Sequence, residues 1–327
     1  MLSISAADLA RMRYELLYDG PERGRKLSRF WALLVLAGLI ATAGVITDST
    51  ATVIGAMIVA PLMTPILGTV LSVVTGDGPN LVRSLVLVVT GAAVVIAIGW
   101  IFGHLSPVPI LAETNSQVAG RVHPRIVDLV AALATGAVGA FALVREDVSD
   151  TLPGVAIAIS LVPPLVVVGL TLESGAGAES LGALLLFLTN VGAILLSGLV
   201  VMALYRVSRL AGSQRGLGAR EQRLAVVLIV VFIVLIAVPL GASTKQSISE
   251  SLRRSDVTTV ARVWAKAAHW KIVNVDTAEH GVVVHAIGPL PAPDPKTFRA
   301  ALDRKGLRSV RVTLELLPLQ RVDLPGT

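Results

Sequence analysis

Long, nearly uncharged runs of apolar residues make up most of the chain, and short polar segments separate them. Only 15% of the residues are charged, against about 25% in soluble domains. A helix of roughly 20 apolar residues crosses the hydrocarbon core of a bilayer. Helices are expected because backbone polar groups must be satisfied inside lipid. The pattern predicts about seven membrane-spanning helices, at residues 30–47, 49–75, 81–103, 126–144, 151–172, 181–205 and 224–241.

Polar segments flank this membrane core at both ends. Residues 1–29 are predicted to form an amphipathic segment, in which Ser5 and Asp8 have the spacing of a capping box. After the last span the pattern changes to helix, strand, strand, helix, strand within residues 246–327. The predicted fold class is therefore an all-α membrane domain over 30–241, followed by a small α+β soluble domain.

The distribution of Lys and Arg predicts how the chain is oriented. The N-terminal segment and every second loop after it carry 13 of these residues, and the loops of the other side carry 2. Positive residues are retained on the cytoplasmic side. We therefore expect a multi-pass protein of the inner (plasma) membrane, with a cytoplasmic N-terminus. Seven crossings then place the C-terminal domain outside the cytoplasm. The net charge of +6 is explained by this topology rather than by binding to nucleic acid.

The membrane domain contains an internal repeat. When the chain is shifted by 99 residues, 16 of 59 positions are identical between 41–99 and 140–198. The identities include Asp, Pro and Thr, which an apolar composition does not explain. Each copy holds three spans, within 30–103 and 126–205, and the span at 224–241 is extra. Because three is odd, the copies must cross the membrane in opposite directions, which is an inverted-topology repeat.

The middle span of each copy is interrupted by prolines. Proline lacks the backbone N–H and breaks or kinks a helix, and the freed carbonyls must face protein or a water-filled cavity. Interrupted helices in corresponding places indicate a transport site near the midplane. The predicted ion or solute pathway consists of Pro61, Thr64, Pro65, Ser160, Pro163, Pro164 and Asn190.

Alternative interpretations of these residues remain open at this stage. Proline kinks often only shape helix packing, and Ser or Thr hydroxyls often bond back to their own helix. Asn190 has an interhelical hydrogen bond as its alternative role. Asp48 and Asp147 precede the two middle spans. Each could cap the helix that follows, because a negative charge is favourable near the positive N-terminal end of a helix. The alternative is that each gates the pathway.

Catalytic and cofactor-binding patterns are missing from the sequence. No Asp, Glu, His or Lys lies at the centre of a predicted span, and the chain has no cysteine. We find no metal-ligand cluster, nucleophile triad or phosphate-binding loop. The sequence predicts that the protein is not an enzyme and needs no cofactor or metal.

Three segments carry a resemblance to a known family. They are Gly55–Gly68, Leu152–Leu165 and Leu186–Asn190, and they resemble the bacterial and archaeal membrane family called "domain of unknown function 389". The resemblance covers roughly residues 30–205. The loop residues Glu113, Arg121, Pro124 and Asp128 are similar to that family's pattern, although Val122 and His123 depart from it. The family implies a membrane core and no particular activity.

Two functions fit these observations. The first is a channel or secondary transporter that moves a small ion or polar solute past the two interrupted helices. The alternative is a membrane-anchored sensor or scaffold whose outer domain binds a ligand or partner. The expected partners are the lipid bilayer, the transported species and, through small-residue helix faces, further copies of the chain.

Overall fold

A computed structural model describes residues 4–145, 161–209, 227, 231, 255–278 and 281–318. The chain divides into two compact units, Met1–Ser243 and Thr244–Thr327.

The described part of the N-terminal unit is helical. In chain order its α-helices are α1 Ala6–Leu16, α2 Arg23–Ile46, α3 Thr50–Val59, α4 Met63–Thr75, α5 Gly78–Leu105, α6 Ser116–Val122, α7 Ile126–Val144, α8 Val162–Glu173 and α9 Gly177–Leu204.

Four of these helices, α2, α5, α7 and α9, are long and apolar enough to cross a membrane. The predicted span 49–75 corresponds to α3 and α4, which are bent by 42° at a short break and form either one broken span or a re-entrant loop. Only the second half of the predicted span 151–172 is described, as α8. Its first half and the predicted span 224–241 lie outside the described residues. The described structure thus supports four to five spans of the seven predicted.

Two pairs of equivalent helices in the predicted copies begin at positions that are 99 residues apart. Helices α5 and α9 have 28 residues each and bounds that differ by the repeat length of 99. Helices α4 and α8 also begin at equivalent positions, Met63 and Val162. Gly76 and Gly175 follow these helices at equivalent positions, and both have positive φ, 71° and 75°. This left-handed backbone costs a glycine little and other residues more.

Contacts between the copies are reciprocal. A Cβ atom at Gly99 of α5 would meet Val166 and Gly169 of α8, and one at Gly198 of α9 would meet Leu67 and Val70 of α4. Each residue of one pair is displaced by 99 from its equivalent in the other pair. Reciprocal contacts of this kind are the mark of a two-fold relation between interacting units.

Helix α1 packs against protein through its apolar face. Ser5 caps it, and the predicted capping box with Asp8 is confirmed by hydrogen bonds in both directions. Leu9, Met12 and Leu16 are buried in the core of the unit. The Leu16 carbonyl lies so close to Gly68 of α4 that a Cβ atom there would be 2.9 Å from its oxygen.

The C-terminal unit has the predicted order of elements. A helix, α10, covers residues 255–267, and β1 Lys271–Ala278, β2 Gly281–Gly288, α11 Pro295–Arg304 and β3 Val312–Pro318 follow. Strand β2 is central, antiparallel to β1 and parallel to β3. Trp264, Trp270 and Phe298 belong to the buried core of this unit. The rings of Trp264 and Phe298 lie 4.9 Å apart.

Candidate functional site

The predicted break in the first copy lies between α3 and α4. Helix α3 ends at Val59, and Ala60 has an extended backbone with φ −66° and ψ 124°. Pro61 has no N–H to donate to the carbonyl of Met57, so that acceptor loses its helical partner. Pro65, the second proline of the pair, is buried within the first turn of α4. Because a proline is tolerated in the first turn, Pro65 does not interrupt α4.

The hydroxyl of Thr64 differs from those of the other threonines in the apolar helices. Most of these hydroxyls donate to the carbonyl four residues earlier: Thr42, Thr69, Thr75, Thr90, Thr135, Thr171 and Thr189. Four residues before Thr64 lies Ala60, which is outside the helix. Among the residues that the structure describes, the Thr64 hydroxyl has no hydrogen-bond partner. It is therefore available to a solute, an ion or water.

A cavity of about 670 Å³ connects the break to the start of α2. Its lining includes Pro61 and Thr64 at the break and Tyr14, Arg25 and Arg29 of α1 and α2. The part lined by α1 and α2 is called its outer end. The break is thus open to space on this side rather than sealed by side chains. We use the name break cavity for this volume.

Side chains from α1 and α2 form the outer end of the break cavity. The Glu22 carboxylate accepts a hydrogen bond from the Tyr14 hydroxyl at 2.8 Å and pairs with Arg25 at 2.6 Å. Lys26 donates to the Leu17 carbonyl at 3.1 Å and to the Tyr14 carbonyl. Its Nζ atom also lies 4.2 Å from the centre of the Tyr14 ring, within the range of a cation–π interaction.

A polar network fixes the N-terminal segment beside this cavity. Arg13 pairs with Asp77 at 2.8 Å, and the Asn80 side chain donates to Asp19 and Asp77 at 2.9 and 3.0 Å. Asp77 also caps α5 through the Asn80 amide. Burial alone would raise the pKa of Asp77. The hydrogen bonds from Asn80 and the pairing with Arg13 outweigh burial and lower this pKa.

In the second copy, the structure describes the residues on the C-terminal side of the predicted break. Pro163 and Pro164 are buried at the start of α8, whose first turn needs no proline N–H. Ser160 lies outside the described residues. Asn190 is 3% exposed within α9. Its equivalent in the first copy is Gly91, where a Cβ atom would be 3.1 Å from Leu62 at the break.

Asp48 acts at a helix N-terminus, although not at that of α3. Its carboxylate accepts hydrogen bonds from the Ser116 hydroxyl at 2.7 Å and the Gln117 amide at 3.1 Å, in the first turn of α6. The hydrogen bond from Ser116 is the main cause that lowers the pKa of Asp48. Ser49 caps α3 instead. Asp147, the equivalent of Asp48, lies outside the described residues.

Sequence reasoning did not find the break cavity or the network around Asp77. The cavity joins α1 and α2 to residues that follow them by about 40 positions, and no local pattern marks such a contact. A usable signal was present in α1, because a short helix with three apolar residues on one face must bury that face against something.

The fold and site define the chain as a helical protein with at least four candidate membrane spans and an interrupted apolar helix pair. Residues 57–196 match the sequence model of the family described as "Domain of unknown function (DUF389)". This match confirms the resemblance predicted from the sequence.

A curated relative agrees with this match. The chain is 34% identical over 176 residues to an uncharacterized protein of Methanocaldococcus jannaschii, and the alignment covers 54% of each chain. The chain therefore spans about half the length of this relative. No solved structure matches the chain.

Proposed function

We propose that the protein is a channel or secondary transporter for a small ion or polar solute. The path would run past the break between α3 and α4 and past the equivalent position of the second copy. The observation that supports this most is the 42° bend at the break, which leaves backbone acceptors and the Thr64 hydroxyl without helical partners inside an apolar unit.

An open break is hard to explain as packing alone. Unsatisfied backbone groups are costly in lipid, so irregular backbone at membrane depth occurs where it is buried in protein or lines a water-filled cavity. Here the break adjoins the break cavity, through Pro61 and Thr64. This neighbourhood favours a hydrated path over a kink that only shapes the helix.

The reciprocal contacts support an inverted repeat. Gly99 and Gly198 make equivalent contacts with the other copy, as two units related by a two-fold axis do. A unit with three spans reverses its direction in the membrane at each repetition, so this axis would lie in the membrane plane. The two breaks would then meet near the midplane.

Each copy would contribute a polar side chain that binds the solute. Thr64 offers a free hydroxyl at the first break. Asn190 is equivalent to Gly91, the residue that approaches Leu62, so we propose that its carboxamide lies near Leu161 at the second break. Ser160, Pro163 and Pro164 are proposed as the remaining lining of the second half, and Pro61 and Pro65 as that of the first.

The orientation follows from the charge distribution. We propose a cytoplasmic N-terminus, an extracytoplasmic C-terminal domain and a location in the inner (plasma) membrane. In this orientation the outer end of the break cavity, with Arg25 and Arg29, would lie towards the cytoplasmic side. Association of several copies and the absence of catalysis belong to the same proposal.

Flux into liposomes tests the proposed function. Purified full chain would be reconstituted and challenged with gradients of Na⁺, K⁺, Cl⁻ and phosphate. Pro61→Ala restores the N–H that straightens the helix, so it is expected to abolish the flux that the wild type shows. Pro79→Ala is the matched control, because Pro79 lies in the first turn of α5, where proline leaves no partner unsatisfied.

Two results would contradict the proposal. One is that no gradient collapses faster with the wild type than in protein-free liposomes. The other is that folded Pro61→Ala and Pro79→Ala proteins conduct equally well. The sensor or scaffold function would then be favoured, since the C-terminal unit has a core of its own and could bind a ligand without transport.

A further inference from the structure

The outer end of the break cavity collects cations at the level where lipid headgroups are expected. Arg25, Lys26 and Arg29 of α2 line this end. Arg29 is the last charged residue before the uncharged run that begins at Phe30. Basic side chains at this boundary lie at the depth of lipid phosphates, and basic pockets between membrane helices bind anionic headgroups.

The charges at this end leave a positive excess. Three cationic side chains face two carboxylates, Glu15 and Glu22, in the lining. Glu22 pairs with Arg25, and Lys26 is bound to main-chain carbonyls. Within the described residues, Arg29 has no carboxylate or hydrogen-bond partner. One phosphodiester, with one negative charge, would balance the excess.

Part of the lining of the same cavity is apolar. Leu33, Ile58 and Val59 belong to it, and Ile58 is 57% exposed. Ile58 lies in α3, within the predicted span, so its exposed face is expected to contact lipid. A soluble anion would gain nothing from an apolar wall. A lipid with its phosphate at Arg29 would lay its acyl chains against the exposed side of Ile58, away from the part of the cavity at Pro61 and Thr64.

We propose that the outer end of the break cavity binds the phosphate group of an anionic membrane lipid. Arg29 is the principal ligand, and Arg25 is a second ligand that Glu22 restrains. The guanidinium group suits this role because it presents several N–H donors to phosphate oxygens. The site goes beyond the proposed function and does not rest on it, since a lipid would bind whether or not the chain conducts.

Native mass spectrometry of the full chain in detergent tests this site. Titration with phosphatidylglycerol is expected to give a bound lipid at lower concentration than titration with phosphatidylcholine. Arg29→Gln is expected to weaken phosphatidylglycerol binding about fivefold, as expected for one cation near an anionic lipid. Arg23→Gln is the matched control, because Arg23 lies on the same helix, is exposed and does not line the cavity.

A second variant gives an effect of opposite sign. Glu22→Gln removes a like charge and frees Arg25, so it is expected to tighten phosphatidylglycerol binding. Misfolding is not expected to increase the affinity for the lipid. Glu22→Gln therefore still tests the site if Arg29→Gln proves unstable.

Several outcomes would overturn the proposal. Equal binding of phosphatidylglycerol and phosphatidylcholine would show that the negative charge of the lipid does not contribute to binding. Equal loss in Arg29→Gln and Arg23→Gln, or no gain in Glu22→Gln, would place the lipid elsewhere. If inorganic phosphate displaced the lipid at equal concentration, the site would be one for a soluble phosphate. The flux assay is a separate measurement. If it fails to detect transport, the lipid-binding results can still be interpreted.

Discussion

Helices α5 and α9 hold equivalent positions in the two predicted copies, and each crosses the middle helix of the other copy at a glycine. The glycines, Gly99 and Gly198, are 99 residues apart, as are Gly76 and Gly175 at the ends of the middle helices. Two polar residues predicted for the pathway do not follow this rule. Thr64 is equivalent to Pro163, and Gly91 to Asn190.

The comparison distinguishes residues that position the helices from residues proposed to bind a solute. The glycines at the two crossings and at the two left-handed turns are the same in both copies, because such close contacts and turns favour glycine. Near the breaks, Thr64 and Asn190 have no polar equivalent in the other copy, as expected if the two halves of one path bind different parts of a solute. The N-terminal network is also specific to one copy, since Asp77 is equivalent to Ala176, which offers no cap.

The largest expected effect compares the two crossings. In Gly99→Ala the new Cβ atom would lie 2.5 Å from the Val166 carbonyl oxygen, whereas in Gly198→Ala it would lie 3.2 Å from the Val70 side chain. A side chain shifts more easily than backbone. Gly99→Ala is therefore expected to lose about 1 to 3 kcal/mol of stability, while Gly198→Ala stays near the wild type. Thermal unfolding in detergent measures both, and equal losses would show that the crossings are equally tight.

The Asp77 network should stabilise the N-terminal segment of the first copy only. Asp77→Ala removes the cap of α5 and the partner of Arg13, so it is expected to cost about 1 to 2 kcal/mol. The effect should appear as faster amide hydrogen exchange in residues 6–19. Asp77→Asn keeps a capping side chain and loses the charge, so it should have a smaller effect. Unchanged exchange in both variants would mean that the apolar face of α1 holds the segment without the network.

The hydroxyl of Thr64 is expected to matter more than those of its neighbours. Thr64→Val should reduce flux about threefold to tenfold, which corresponds to the loss of one hydrogen bond of ordinary strength. Thr69→Val is the control, because the Thr69 hydroxyl already donates to the Pro65 carbonyl. Flux reduced equally by both variants would indicate a general packing effect.

The smallest expected effect depends on pH. The pKa of Asp77 is lowered below its ordinary value of 3.8 in the folded chain. Its contribution to stability is therefore present above this ordinary pKa and is lost as pH falls through the folded pKa. Exchange of residues 6–19, corrected for the intrinsic rate, should speed up as the pH falls below 3.8 and through the folded pKa of Asp77. Asp77→Asn should lack this pH dependence, and its persistence there would assign it to another group.

Most of the fold prediction rested on the apolar runs along the chain and on the internal repeat. The apolar runs gave the positions of α2, α5, α7 and α9, and the prolines located the break before α4. Local chemistry decides these features, so a sequence shows them. The capping box of α1 was visible for the same reason.

The rest depends on contacts between distant residues. The free hydroxyl of Thr64 follows from the backbone of Ala60, and the burial of α1 follows from its approach to Gly68. The sequence predicted a cap or gate at Asp48 but could not show that its partner is α6, which lies more than 60 residues away. Such pairings arise only when the helices pack.

Labelling of single cysteines from each side of the membrane tests the inverted repeat most directly, and the natural chain has no cysteine to interfere. Pro79 and Ala178 are equivalent positions, both exposed at the starts of α5 and α9. With Pro79→Cys and Ala178→Cys, a membrane-impermeant thiol reagent is expected to label Cys at 79 from the cytoplasmic side and Cys at 178 from the opposite side. Labelling of both positions from one side would show that the copies face the same way and would contradict the account.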